Sequence, residues 1–362
     1  MEGFSSFENF SGNMEEGTRL MRRISMEKLI DFGVSFMTKR GVPEDRARYI
    51  AELVVETEAF RQSTHGLAQF STVNASLGKT VDPDREPKVV NRSKASALLD
   101  GERCIGVLAV KAAKDLAVEM ARENGIGFVG VRNTQWIGAV GMHLVSIARD
   151  GLVCQAWAQT STCKDAAPFG GIDARFSTNP IALAFPAEGD PVVADFSTAT
   201  MSMGGAHSLI KAGEKTDVPR FLDKAGNPTR DPSVIDDEGS LMFMGCETDG
   251  HKGYALSLFI EALTVLTGGS ANNPEAPSFQ SFALMALDPA AFAGKAYYDK
   301  EMRRFLAHVK TSRTRPSAEK IRLPGERGFA ALADCRANGV PLDDAKLASL
   351  QKIADENGIA LD

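Results

Sequence analysis

The sequence predicts an α/β (α+β) protein in which a mixed sheet domain is inserted into a helical domain built from both chain ends. Three observations carry this. Apolar residues recur at helical spacing from Met26 to Leu77 and again beyond Pro289. Short runs rich in Val, Ile, Ala and Phe, bounded by Gly, Pro and Asn, occupy the middle. No GxGxxG follows a strand with an acid about 20 residues further on, and no phosphate-loop Gly-Lys-Ser/Thr occurs. The sheet is therefore expected to be of a non-Rossmann kind. The expected division is a disordered arm over 1–20, a first helical part over 21–82, a mixed α/β domain over 83–275, and a second helical part over 276–362.

The elements follow in order. Ser25 caps a first helix, Ser25 to Met37. Gly41 suits its left-handed C-terminal position, and Pro43 starts a second helix running to about Phe60. A third, shorter helix follows Gly66 to Leu77. Val89 and Val90 open a strand, and Leu98-Leu99-Asp100-Gly101 reads as a strand end with a tight turn. A helix over Gly106 to Asn124 closes at Gly125. Strands are expected over Ile126 to Val131, Leu152 to Thr160, Ile181 to Phe185, Val192 to Phe196 and Ser281 to Leu287. A helix from about Ala139 carries His143, read as a locally satisfied helix residue rather than a catalytic one. Ser197 to Gly205 is a strand-end run of small hydroxyl residues and glycines, suited to a bound polyanion or a close backbone approach. Asp223 to Pro228 is a surface hairpin. His251 and Lys252 open a long buried helix, where cations would add to an anion site at its first turn. Pro289 to Lys310, Gly328 to Asn338 and Ala345 to Asn357 are helical.

Bulk properties exclude several classes. The 362 residues carry a formal charge of -6 and no basic block, so no nucleic acid is expected as partner. No run approaches the roughly 20 apolar residues of a membrane span, and the polar first residues do not form a signal peptide. The five cysteines are scattered without CxxC, and the five histidines lack HExxH spacing, so neither a disulfide framework nor a metal site is expected. A cytoplasmic enzyme acting on a small molecule is the expectation.

The organising stretch is Glu58-Ala59-Phe60-Arg61-Gln62-Ser63-Thr64-His65-Gly66, where a helix opens into a loop with His65 at its mouth. Imidazole can exchange a proton near neutral pH, which makes His65 the candidate general acid. Several further segments occur in one order with it. They are Arg132-Asn133-Thr134, Thr178-Asn179-Pro180, Asp195 with Thr198, His251-Lys252-Gly253-Tyr254, and Leu323-Pro324-Gly325-Glu326-Arg327. Together they resemble the malate/L-lactate dehydrogenase family of the non-Rossmann type, over roughly residues 25 to 345. That family includes ureidoglycolate, sulfolactate, diketogulonate and cyclic imino acid oxidoreductases.

The resemblance implies a largely antiparallel sheet in the 83–275 domain, which would bind NAD or NADP. It also implies a homodimer and a 2-hydroxy or 2-oxo acid substrate. The alternatives are reduction of a cyclic imino acid or a non-catalytic member of the fold. By position, His65 is the expected proton donor, with Arg61, Thr64, Trp136 and Asn179 at the substrate. A guanidinium such as Arg61 can grip a carboxylate bidentately. The cofactor is expected at Asp195, Phe196, Ser197, Thr198, Ala199, Thr200 and Met201, at His251 and Lys252, and at Gly325, Glu326 and Arg327. Two positions depart from the family pattern. Trp136 stands where many members have a histidine, and Gln69 where many have an arginine. Trp136 is expected to wall the pocket, and Gln69 to weaken selection for a second carboxylate.

Overall fold

The computed structural model describes residues 21–273, 275 and 279–361; the arm expected over 1–20 lies outside them. Strand β1 (Arg22–Ile24) leads into α1 (Met26–Lys39), α2 (Glu44–Ala59) and α3 (Ala68–Ser76). Ser25 caps α1 as expected, its Oγ accepting from the Lys28 N–H at 3.3 Å. The helices pack through Phe32, Phe36 and Phe70, whose ring centroids lie 5.4–6.2 Å apart. Gly33 permits this closeness, since a Cβ there would stand 2.7 Å from Phe70 Cζ and 2.9 Å from Ala51 Cβ.

The middle of the chain builds a seven-stranded sheet. Its strands are β2 (Lys88–Arg92), β3 (Ser96–Asp100), β4 (Ile126–Thr134), β5 (Val153–Thr160), β6 (Pro180–Phe185), β7 (Val192–Ser197) and, from later in the chain, β11 (Gln280–Leu287). The order is β2-β3-β4-β11-β5-β6-β7. Only β3 and β4 pair in parallel, joined by the crossover helix α4 (Gly106–Asn124). The other neighbours are antiparallel, as the resemblance implied. Gly125 ends α4 at φ 83°, its N–H donating to the Ala121 carbonyl. Helix α5 (Val140–Arg149) covers one face, where Leu144, Ile147 and Ala148 join the main core. Helix α7 (Cys246–Leu266) covers the other through Ile260, against Trp157, Ile181 and Ala283.

Several local readings change. Met203–Ala212 is a helix, α6, and Ser202 caps it by accepting from the Gly205 N–H at 3.1 Å. The Ser-Gly run is thus partly a helix start. A small antiparallel sheet of β8 (Phe221–Leu222), β9 (Pro228–Thr229) and β10 (Ser240–Leu241) contains the expected hairpin at Asp223 to Pro228. The helix expected from Pro289 begins instead at Lys295 as α8 (Lys295–Lys310), because Gly294 at φ 93° separates it from a single turn at Pro289–Ala291. Strand β11 falls in the part read as helical from 276 onward, yet it forms the centre of the sheet between β4 and β5. Its pairing is non-local, which periodicity cannot show. The chain ends with α9 (Glu326–Asn338), β12 (Val340–Leu342) and α10 (Asp344–Asn357). β12 pairs antiparallel with β1, and Lys39 Nζ donates to the carbonyls of Asn357 and Gly358. These contacts join the two chain ends into one helical unit.

Candidate active site

Antiparallel pairing brings Thr160 of β5 opposite Gln280 of β11, and Pro180 of β6 opposite Ser197 of β7. All four line one cavity of about 780 Å³ at that end of the sheet. The loop after α2 forms its opposite wall with Arg61, Gln62, Thr64 and His65. Among the described residues no helix is long and apolar enough to cross a membrane, and no His, Cys, Asp and Glu cluster could hold a metal.

His65 occupies this wall as expected. Its Nδ1 lies 3.1 Å from Thr64 Oγ1. Burial lowers its pKa below the ordinary histidine value, while the nearby Asp195 carboxylate opposes that shift. Asp195 is the partner that the sequence did not reveal, since it was read only as a cofactor contact. Burial raises its pKa, against hydrogen bonding from Gly141, the charge of His65 and hydrogen bonding from Gln62. The Gly141 N–H donates to Asp195 Oδ2 at 2.8 Å, and Gln62 Nε2 donates to the same oxygen at 3.3 Å. Asp195 thereby satisfies an N–H in the first turn of α5, which lacks a side-chain cap of its own. A Cβ at Gly141 would stand 2.7 Å from Asp195 Cβ, so this approach needs glycine.

A buried ion pair holds the His65 loop. Glu58 continues the apolar stripe of Ile50, Val54 and Val55 on α2, and 3% of its side chain is exposed. Lys346 Nζ, from α10, donates to Glu58 Oε1 at 2.6 Å, as does Ser63 Oγ at 3.1 Å. The Leu67 N–H donates to Glu58 Oε2 at 3.1 Å. A Cβ at Gly66 would fall 2.3 Å from Glu58 Oε2, which explains the glycine after His65. A charged residue on an apolar stripe was the available signal for this clamp.

The other expected residues divide. Arg61, exposed and at φ 68°, lines the cavity, and among the described residues its guanidinium makes no hydrogen bond or ion pair. Phe196, Ser197, Ala199, Thr200 and Met201 also line it. Thr198 does not: it is fully buried, and its hydroxyl donates to the Thr178 carbonyl at 3.0 Å. Asn179 is likewise fully buried and off the wall. Its Nδ2 donates to Ser257 Oγ at 2.9 Å and to Glu261 Oε1 at 2.8 Å, and its Oδ1 accepts from Ser177 at 2.5 Å. Each polar atom of its side chain thus already has a protein partner.

Trp136, at φ 56°, packs its side chain against the main core, and its Nε1 is buried without a partner. The cavity wall begins at the next residue, Ile137, so Trp136 is not the aromatic wall expected. The Ile137 N–H donates to Gln280 Oε1 at 2.9 Å and its carbonyl accepts from His143 Nε2 at 2.6 Å. Burial drives the His143 pKa down to about 4, so it holds this loop as a neutral ring. Gln69 Nε2 donates to the Thr64 carbonyl at 2.7 Å and stiffens the His65 loop.

Gly325, Arg327 and Arg322 line a second groove of about 530 Å³. It shares Arg61, Gln62, Asp195 and Phe196 with the first cavity. Gly325, at φ 93°, starts α9 without a side-chain cap. An uncapped helix start beside three arginines fits a diphosphate. Glu326 faces away from this groove and pairs with Lys310. His251 and Lys252 line neither space. Because α7 begins at Cys246, they lie in its second turn rather than at its start, with exposed side chains. Lys252 pairs with Asp249 at 2.6 Å, and the His251 ring lies against Phe169.

The largely antiparallel, non-Rossmann sheet carried on a helical unit from both chain ends defines the class of fold. The chain belongs to the malate/L-lactate dehydrogenase family, whose pattern it matches over residues 24–351. Family membership supports oxidoreductase activity of that type. The chain is 30% identical over 347 residues to a malate dehydrogenase of Pyrococcus abyssi, covering 93% of this chain and 95% of that one. The solved malate dehydrogenase of Pyrococcus horikoshii OT3 superposes with a TM-score of 0.84 at 27% identity, over 94% of this chain and 97% of that one. The solved Δ1-piperideine-2-carboxylate reductase of Pseudomonas syringae pv. tomato superposes at 0.80, also 27% identical, over 92% and 100%.

Proposed function

We propose that this protein is an NAD- or NADP-dependent oxidoreductase that interconverts a 2-oxo acid and the corresponding 2-hydroxy acid. The observation that carries this reading is His65 on the wall of the larger cavity beside Asp195, which lines both spaces. When bound, the nicotinamide supplies or accepts the hydride. During reduction, charged His65 donates its Nε2 proton to the developing alkoxide while its Nδ1–H is held by Thr64 Oγ1. Asp195 stabilises the charged ring, and Arg61 holds the substrate carboxylate. Arg322, Arg327 and the start of α9 would hold the cofactor's diphosphate, and Ser197, Ala199, Thr200 and Met201 would flank it.

The same reading takes the enzyme as a cytoplasmic homodimer. The outward face of α7 supports the dimer, since Leu258, Phe259, Val265 and Leu266 are 45–71% exposed. Reduction of a cyclic imino acid is the second reading, favoured by the likeness to the piperideine-carboxylate reductase.

Steady-state assays of 2-oxo acids and cyclic 2-carboxy imines with NADH and NADPH test both. Because burial lowers the His65 pKa, kcat/KM for 2-oxo acid reduction is expected to fall with rising pH, with its midpoint below the ordinary histidine value. Oxidation of the hydroxy acid should rise over the same range, since it needs the neutral ring. A reduction rate flat across that range would remove His65 as the proton donor.

A further inference from the structure

The polar groups of the cavity are unevenly matched. Arg61 is the only lysine or arginine among the described residues lining it. Against it stands Asp165, which the reaction does not use. Asp165 lies on the segment before Pro168 and lines the same cavity. Its backbone is fixed by the Phe176 carbonyl and by the Leu241 N–H. Burial pushes its carboxyl up to about 6, opposed by hydrogen bonding from Thr178 and by the charge of His207. Above that pH it still carries a negative charge.

Two glutamines add acceptors without added charge. Gln159, 1% exposed, precedes the last residue of β5 on the cavity wall. Its Nε2 donates to the buried Glu261 carboxylate at 3.3 Å, and Oε1 is left buried without a partner. Gln62 repeats the arrangement, with Nε2 turned to Asp195 and Oε1 unpartnered. A carboxylate only accepts, so each fixes the orientation of its amide and leaves an oxygen to be met by a ligand donor. An acceptor left unmet in a buried site is costly, so a ligand that brings hydrogen-bond donors is favoured.

We infer that the cavity selects a 2-oxo or 2-hydroxy acid with a single carboxylate and an uncharged tail bearing hydrogen-bond donors such as hydroxyl groups, and that Asp165 discriminates against dicarboxylates. Arg61 takes the one carboxylate. A second carboxylate would meet Asp165 and the two amide oxygens with no cation to receive it. This rests on the oxidoreductase reading above and specifies its substrate.

The test is a kcat/KM panel at pH 7.5 with pyruvate, 2-oxobutyrate, 4-hydroxy-2-oxobutyrate and oxaloacetate. It is run on the wild-type enzyme and on Asp165→Asn, Asp165→Lys and Gln159→Leu. The hydroxylated acid is expected to exceed 2-oxobutyrate by about tenfold, and Gln159→Leu to erase that advantage. Oxaloacetate is expected to be the poorest substrate, gaining about tenfold or more relative to pyruvate in Asp165→Lys and less in Asp165→Asn. Asp165→Asn keeps an acceptor for Thr178, so it reports on charge even if the lysine variant fails to fold. Oxaloacetate as the best wild-type substrate would overturn the inference. So would an oxaloacetate-to-pyruvate ratio unmoved by removing the Asp165 charge. Binding of reduced cofactor with no turnover of any acid would instead bring down the underlying reading, and this inference with it.

Discussion

Replacing His65 with alanine is expected to lower the turnover of 2-oxo acid reduction by about 10²- to 10⁴-fold, with reduced cofactor binding little changed. His65 stands on the cavity wall without carrying the core: its ring is partly exposed, and its one side-chain hydrogen bond goes to the adjacent Thr64. Its loss should therefore cost proton transfer rather than the fold. Fluorescence titration of the reduced cofactor, run beside steady-state kinetics, separates the two effects. Turnover near the wild-type rate would mean that the proton comes from elsewhere. A loss of cofactor affinity matching the loss of rate would make His65 a binding residue. Among the described residues of the cavity wall, Asp195 is the group whose charge acts on His65. An Asp195→Asn enzyme that kept the wild-type pH profile would show that this pairing has no part in the reaction.

The second large effect is expected at Glu58. Glu58→Ala removes the acceptor of Lys346, Ser63 and the Leu67 N–H together. It should destabilise the fold by about 2–4 kcal/mol, since a half-buried ammonium and a buried N–H lose their partner. Turnover should fall by roughly 10- to 100-fold, because the loop that aims His65 loses its clamp. Urea unfolding measures the first effect, and kcat at saturating cofactor the second. Glu58→Gln, which retains an acceptor oxygen, should restore part of the activity. In the double variant with Lys346→Met the stability losses should be less than additive, because the stranded cation is gone. Strict additivity would mean that the ion pair contributes nothing as a pair.

Much of the architecture was legible because it is written locally. The Ser25 cap, Gly125 closing α4 and the runs that became β4 to β7 each depend on neighbours a few residues away. The place of β11 was not legible. Ser281 to Leu287 reads as a strand, but only pairing with β4 and β5, each more than a hundred residues earlier, puts it at the centre of the sheet. At the site, His65 and the run from Phe196 to Met201 were found from motif order, whereas side-chain direction was hidden. Asn179 and Thr198 stand in motifs beside the cavity, yet hydrogen bonds consume them. Trp136 takes a left-handed backbone that turns it to the core, which spacing alone could not show. Gln62, Gln159 and Asp165 gave weaker signals: polar groups at the ends of apolar runs, whose role depends on which carboxylate or backbone group each meets in space.

The pairing of β1 with β12, and of Glu58 with Lys346, has a consequence for how the protein is made. The His65 loop leaves the ribosome before the cation that clamps it, which lies 288 residues after Glu58. Helices α1 to α3 can form as they emerge, since their contacts are near in sequence, whereas long-range closure must wait for the rest of the chain. The loop around His65 is therefore completed by a helix made after every strand of the seven-stranded sheet. A chain halted before α10 would carry His65 on an unfastened loop, so the site is completed only once α10 has been made.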